Sequence, residues 1–207
     1  MEQTMGRENA KRNIILFVVG VLISFLGTLT SSLSDVTGVD WLSYFAFLAL
    51  VGSILQIIAI ILLRNVNKKY ANALWGLILS FLLVLTVFIL GIIAILSENP
   101  SQYDVAIGWL QIASDFAEAL IVVNFVLGTN QLAEENDKGM PILTKAVVYG
   151  YMGMFVISVV FDALCLIPAI RENLVVVEAF TIVVTVLYVI RSICYLAFLI
   201  RSLWRVK

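Results

Sequence analysis

The stretch from 71 to 96, ANALWGLILSFLLVLTVFILGIIAIL, carries no charged side chain and is long enough to cross a bilayer as a helix. Five further runs are also apolar enough and long enough to span, though three of them carry charged residues. Together they define apolar segments at about 13–33, 41–63, 71–96, 103–127, 143–170 and 174–200. A span needs about 20 residues, so six of them nearly use up a chain of 207. The composition agrees: 62% of residues are hydrophobic and 13% charged, against about 45–50% and about 25% in soluble domains. The expectation is an all-α, polytopic integral membrane protein with six transmembrane helices in one domain, 1–207, and no soluble domain besides.

Short polar breaks separate the segments: SDVTGVD (34–40), RNVNKKY (64–70), SENPSQ (97–102), TNQLAEENDKGMP (129–141) and REN (171–173). Their Pro, Asn, Asp and Gly content suits turns between helices. Basic residues concentrate near span ends on the cytoplasmic side. Here Arg7, Lys11, Arg12, Arg64, Lys68, Lys69, Lys138, Lys145, Arg201, Arg205 and Lys207 all fall on, or within four residues of, the N-terminal stretch, the second and fourth breaks or the C-terminal stretch. Only Arg171 lies in an opposite break and Arg191 within a span, while Asp35, Asp40, Glu98, Asp104 and Glu172 lie on the opposite side. Both termini are therefore expected in the cytoplasm, in a protein of the plasma membrane. The first apolar run is longer than a typical signal-peptide core and TLTSSLSD offers no A-x-A site, so it reads as a retained helix. ILLRNVNKK after the second span resembles FLIRSLWRVK after the sixth, which suggests three sequential helical hairpins.

Within the fourth segment, residues 111–124 read QIASDFAEALIVVN. An acidic residue at mid-span opposes insertion by about 2.5–3.5 kcal/mol, so Asp115 and Glu118 have to face protein or water. Asp104, Gly108, Gln111, Asp115 and Glu118 follow at spacings of four and three, one face of a helix. The sixth segment repeats this with Glu178, Thr181, Thr185, Tyr188, Ser192 and Tyr195, and the fifth more thinly with Tyr151, Phe155, Ser158, Asp162 and Cys165. In the first, Gly20, Ser24, Gly27 and Ser31 form a small-residue stripe suited to close helix contact, within the chain or in a homo-oligomer.

From that topology, Asp115 and Glu118 come near the midplane, Asp162 in the outer half, Glu178 near the outer surface and Arg191 in the inner half. The candidate ligand- or ion-binding set is thus Gln111, Asp115, Glu118, Asp162, Glu178, Thr185, Tyr188 and Arg191. Two readings of it stay open. In one, Arg191 reaches Glu118 and the polar groups only fix helix packing. In the other, the surplus carboxylates hold a cation, an amine or a proton, with tyrosines and Trp109 offering aromatic faces to an organic cation. Transport or binding of a small cationic or proton-coupled ligand is then one function class. A non-transporting accessory or regulatory subunit, whose polar faces dock a partner membrane protein, is the other.

Six spans with both termini inside, in about 200 residues, is similar in gross plan to the substrate-binding subunits of energy-coupling-factor vitamin transporters. That likeness covers span count and size, and it adds a substrate-binding subunit of a larger transporter to the alternatives. The chain has no histidine, which removes imidazole as base or ligand. Asp115 and Glu118 on one helix give no opposed pair across a substrate, so no catalytic residues, metal ligands or cofactor are expected, nor any nucleic-acid partner. Cys165 and Cys194 fall at opposite ends of their spans, about 20 Å apart along the membrane normal, too far for a disulfide.

Overall fold

Long runs of Leu, Ile, Val and Phe interrupted by few breakers form helices throughout the computed structural model, which describes residues 2–37, 45, 47–97, 103–133, 139–165 and 174–205. The helices are α1 (Glu2–Thr37), α2 (Phe47–Leu63), α3 (Lys68–Leu96), α4 (Asp104–Asn130), α5 (Gly139–Cys165) and α6 (Leu174–Arg205). Five contain stretches long and apolar enough to cross a membrane: Asn9–Gly27, Lys68–Leu96, Ala106–Asn130, Gly139–Phe161 and Ile182–Trp204. In α2 the apolar stretch is shorter, Leu50–Leu63, and residues 41–44 and 46 of the expected second span lie outside the described part.

Expected breaks are corrected where helices run into them. The turn read at 34–40 starts later, because α1 continues through Ser34 to Thr37. No Gly or Pro stands between Gly27 and Gly38 to stop it, and Thr30 turns its hydroxyl inward, donating to the Leu26 and Gly27 carbonyls at 3.0 Å. The break at 129–141 is likewise shorter than read, with α4 running to Asn130 and α5 starting at Gly139. Pro141 is tolerated as the third residue of α5, where its missing N–H has no intrahelical partner to lose. Between α2 and α3 the chain turns within four residues. Val66 N–H bonds the Leu63 carbonyl at 2.8 Å, and Asn67 caps α3 by accepting from the amides of Lys69 (2.9 Å) and Tyr70 (3.2 Å).

Successive helices pair most extensively as α1 with α2, α3 with α4 and α5 with α6, and α4 against α5 joins the second pair to the third. The first pair meets through the expected small-residue stripe. A Cβ on Gly52 of α2 would collide with the Gly20 carbonyl oxygen and the Ser24 backbone, so both helices touch through bare backbone. Gly20 and Ser24 are thereby in contact with α2 inside the chain.

The fully buried residues gather at one end of the bundle. They come from the first half of α1 (Ala10, Ile14, Phe17), the last turn of α2 (Ile60, Leu63), the first of α3 (Tyr70, Ala73), the last third of α4 (Phe125, Val126, Thr129), the first half of α5 (Met140, Val147) and the last third of α6 (Phe198, Leu199, Ser202). Phe17 stacks on Phe125 at 3.7 Å between ring centroids, and Tyr70 meets Phe125 edge-on at 5.8 Å. Tyr70 Oη and Thr129 Oγ1 share a hydrogen bond of 3.0 Å, and Asn67 Nδ2 donates to the Gly128 carbonyl at 3.2 Å. Lipid is as apolar as these side chains, so dispersion and these polar links, more than water exclusion, favour this closed end. Toward the opposite end the apolar surface opens: Phe81, Phe88 and Ile95 on α3 are 68%, 64% and 81% exposed.

Candidate functional site

Just beyond the closed end, where α4, α5 and α6 begin to part, lies a cavity of about 220 Å³. Asp115, Glu118 and Ala119 of α4, Tyr151, Met154 and Phe155 of α5, and Val184 and Arg191 of α6 line it. Spacings of three and four bring these residues to their walls: 115, 118 and 119 on α4, 151, 154 and 155 on α5, and 184 and 191 two turns apart on α6. Phe116 packs on Phe155 at 5.5 Å between ring centroids and ties α4 to α5 beside the cavity.

At the centre stands Arg191. Its Nη2 donates to Glu118 Oε1 at 3.5 Å, and its guanidinium carbon lies 4.1 Å from the centre of the Tyr151 ring. The stem lies along α5 beside Gly150, where a Cβ would make an ordinary contact 3.6 Å from Arg191 Cγ. The Arg191 side chain is 11% exposed, whereas that of Glu118 is 51% exposed and open to whatever occupies the space beside it. Tyr195, one turn further along α6, meets Tyr151 edge-on at 5.8 Å. With five N–H groups and a planar face, a guanidinium can serve Glu118, the Tyr151 ring and further groups at once.

Of the residues singled out in the sequence, Asp115, Glu118 and Arg191 come together here. The side chains of Gln111, Asp162, Glu178, Thr185 and Tyr188 lie outside the described ones, as does that of Cys165. Cys194 is a free thiol. Tyr151 and Phe155 belong to the stripe seen on the fifth segment, but the sequence did not mark Tyr151 as the surface on which Arg191 rests. Nothing in an apolar run signals Met154, Ala119 or Val184, which complete the wall. Among the described residues no three His, Cys, Asp or Glu side chains converge as a metal-binding group.

Chemically the cavity wall carries two carboxylates and one guanidinium on an otherwise apolar and aromatic surface. Two carboxylates beside one guanidinium make a wall that suits a cation or a proton better than an anion. Comparison with protein-family models, with curated proteins and with solved structures finds no match for the chain.

Proposed function

We propose that this chain is a six-span protein of the plasma membrane, with both termini in the cytoplasm, that binds and carries a small cationic or proton-coupled ligand. The site is the cavity between α4, α5 and α6, and the role is not enzymatic. One observation supports the reading above the others: Asp115 and Glu118 stand with a single guanidinium on a cavity wall inside three apolar helices. Carboxylates at such depth are retained against a cost of insertion and mark ligand or ion sites more often than not. Tyr151 and Phe155 add aromatic faces that suit an organic cation. The six-span count and the orientation rest on the hydropathy and on the one-sided Lys and Arg distribution.

A second reading is favoured by the half-open Glu118 side chain, which a basic residue of a partner membrane protein would cover. The chain would then be an accessory or substrate-binding subunit of a larger assembly. Native mass spectrometry of the protein extracted in mild detergent from its own cells separates the two. A small co-purifying mass that is lost in Asp115→Asn supports the ligand site. A stoichiometric second protein supports the subunit. A bare chain, with Asp115→Asn and Glu118→Gln both unchanged in every binding measured, would leave the three charges as packing groups and overturn the proposal.

A further inference from the structure

The polar lining of the cavity does not stop at the cavity. On α5, Thr144 lies seven residues from Tyr151 and so on the same face; on α6, Tyr195 and Ser202 continue the face of Arg191; on α4, Asn130 continues that of Ala119. Pairs across the interfaces fix the direction. Tyr151 faces Tyr195, and Arg201 lies against Gly139, so moving down α5 toward its start means moving along α6 toward its end. Thr144, Ser202 and Asn130 are therefore stacked below the cavity, inside the closed end.

Three polar atoms on this line, Tyr195 Oη, Thr144 Oγ1 and Asn130 Oδ1, are buried with no hydrogen-bond partner among the described residues. Tyr195 is 9% exposed and Thr144 5%. Buried polar groups nearly always find partners, and other hydroxyls in this chain do, several of them within their own helix. Thr86 bonds the Leu82 carbonyl at 2.8 Å and Ser202 that of Leu199 at 2.6 Å. Three partnerless atoms in a row below a charged cavity, rather than scattered through the bundle, are what a hydrated passage looks like once it is squeezed shut. Val126, Val147 and Phe198, each with no exposed surface, supply the apolar layer that shuts it.

We infer that α4, α5 and α6 enclose an inner route from the cavity to the end where Arg201 meets Gly139. The route is sealed here by Val126, Val147 and Phe198, and it opens to water when the three helices part. It rests on the cavity's being the ligand site and adds that the ligand has an exit on the far side, as alternating access requires. Helices that rock about a fixed central site would hydrate Tyr195, Thr144 and Asn130 in one state and bury them in the other.

Single cysteines test this in a Cys165→Ala/Cys194→Ala background. The probe is a cationic, water-soluble methanethiosulfonate applied to open membrane fragments, which offer it both faces. A thiol reacts only where water lets it ionise. Thr144→Cys and Ser202→Cys are expected to react at least tenfold faster than Val18→Cys, which is buried on α1 away from the line. Val184→Cys, on the cavity wall, should react as well. If Val184→Cys reacts while Thr144→Cys and Ser202→Cys stay at the rate of Val18→Cys, the inner route is refuted and the cavity stands. Should Val184→Cys also be inert, the ligand site itself falls. Equal reaction at all four positions would mean general loosening of the bundle and would refute the route too. Using two near-isosteric positions guards against one variant failing to fold.

Discussion

Replacing Arg191 with Gln removes two contacts at once, and the structure allows each to be weighed. Opposite unit charges at the 3.5 Å of the Arg191–Glu118 pair attract by about 5 kcal/mol at an effective dielectric of about 20. With half of the Glu118 side chain open, screening and the lost freedom of two long side chains cut this to about 1–2 kcal/mol. The guanidinium over the Tyr151 ring, in a mostly covered position, contributes a further ~1–2 kcal/mol. Arg191→Gln should thus destabilise the fold by about 2–4 kcal/mol, and Glu118→Gln, which spares the ring contact, by about 1–2 kcal/mol. In the double variant the loss should fall short of the sum by about 1–2 kcal/mol, the coupling of a true pair. Arg191→Lys should recover part of the loss and no more, because an ammonium keeps the charge but not the planar face. Denaturant titration in mixed micelles, followed by tryptophan fluorescence, reads all four. Coupling below about 0.5 kcal/mol would refute the pair. An Arg191→Gln loss no larger than that of Glu118→Gln would refute the part given to Tyr151.

Gly52→Ala forces a methyl group into the Gly20 carbonyl and the Ser24 backbone, so α1 and α2 must separate; a loss of about 1–3 kcal/mol is expected in the same titration. Gly153→Ala, with nothing within 4 Å of the new methyl, should be neutral or stabilising by up to about 1 kcal/mol, and the contrast between the two isolates close approach from helix propensity. Tyr70→Phe deletes the hydrogen bond to Thr129 while keeping the ring on Phe125, and should cost about 1 kcal/mol in thermal unfolding. Asn67→Ala loses both the cap of α3 and the bond to the Gly128 carbonyl and should cost about 1–3 kcal/mol. Asp115→Asn and Glu118→Gln should leave membrane insertion intact, as judged by glycosylation tags on the breaks, while weakening ligand affinity at least tenfold.

What the sequence reveals and what it hides follow from the solvent a membrane chain meets. In a mostly apolar helix the rare charged residue is the signal, so Asp115, Glu118 and Arg191 stand out against their runs. Arg191 and Glu118 lie on α6 and α4, and the 3.5 Å between them is the contact that one of the two readings of the charged set expected. The closed end gave no such sign. Phe17, Phe125 and Phe198 are buried there while Phe81 and Phe88 face outward, yet all are the same residue, because lipid and protein interior ask for the same side chains. Gly52 was equally silent: a single glycine in an apolar run looks incidental until the Gly20–Ser24 stripe is found against it. Tyr70 and Thr129 sit at helix ends that read as connections, and the capping of α3 by Asn67 shows only in the structure.

Tyrosine was the least legible residue of all, because it serves as a wall, a cation's resting face and a hydrogen-bonding group at once. Tyr151 does the first two jobs under Arg191. Tyr195, in edge contact with it and with its hydroxyl buried without a partner among the described residues, stands at the boundary between the charged cavity and the sealed end. Tyr195→Phe keeps that ring contact and removes the buried hydroxyl. A residue there only for packing should be stabilised by the change, since an unsatisfied group costs about 1–3 kcal/mol. If the hydroxyl belongs to a passage that must wet, the variant should gain that stability in unfolding and lose turnover of whatever ligand the cavity carries. A variant both more stable and fully active would show that the hydroxyl does not take part in any passage.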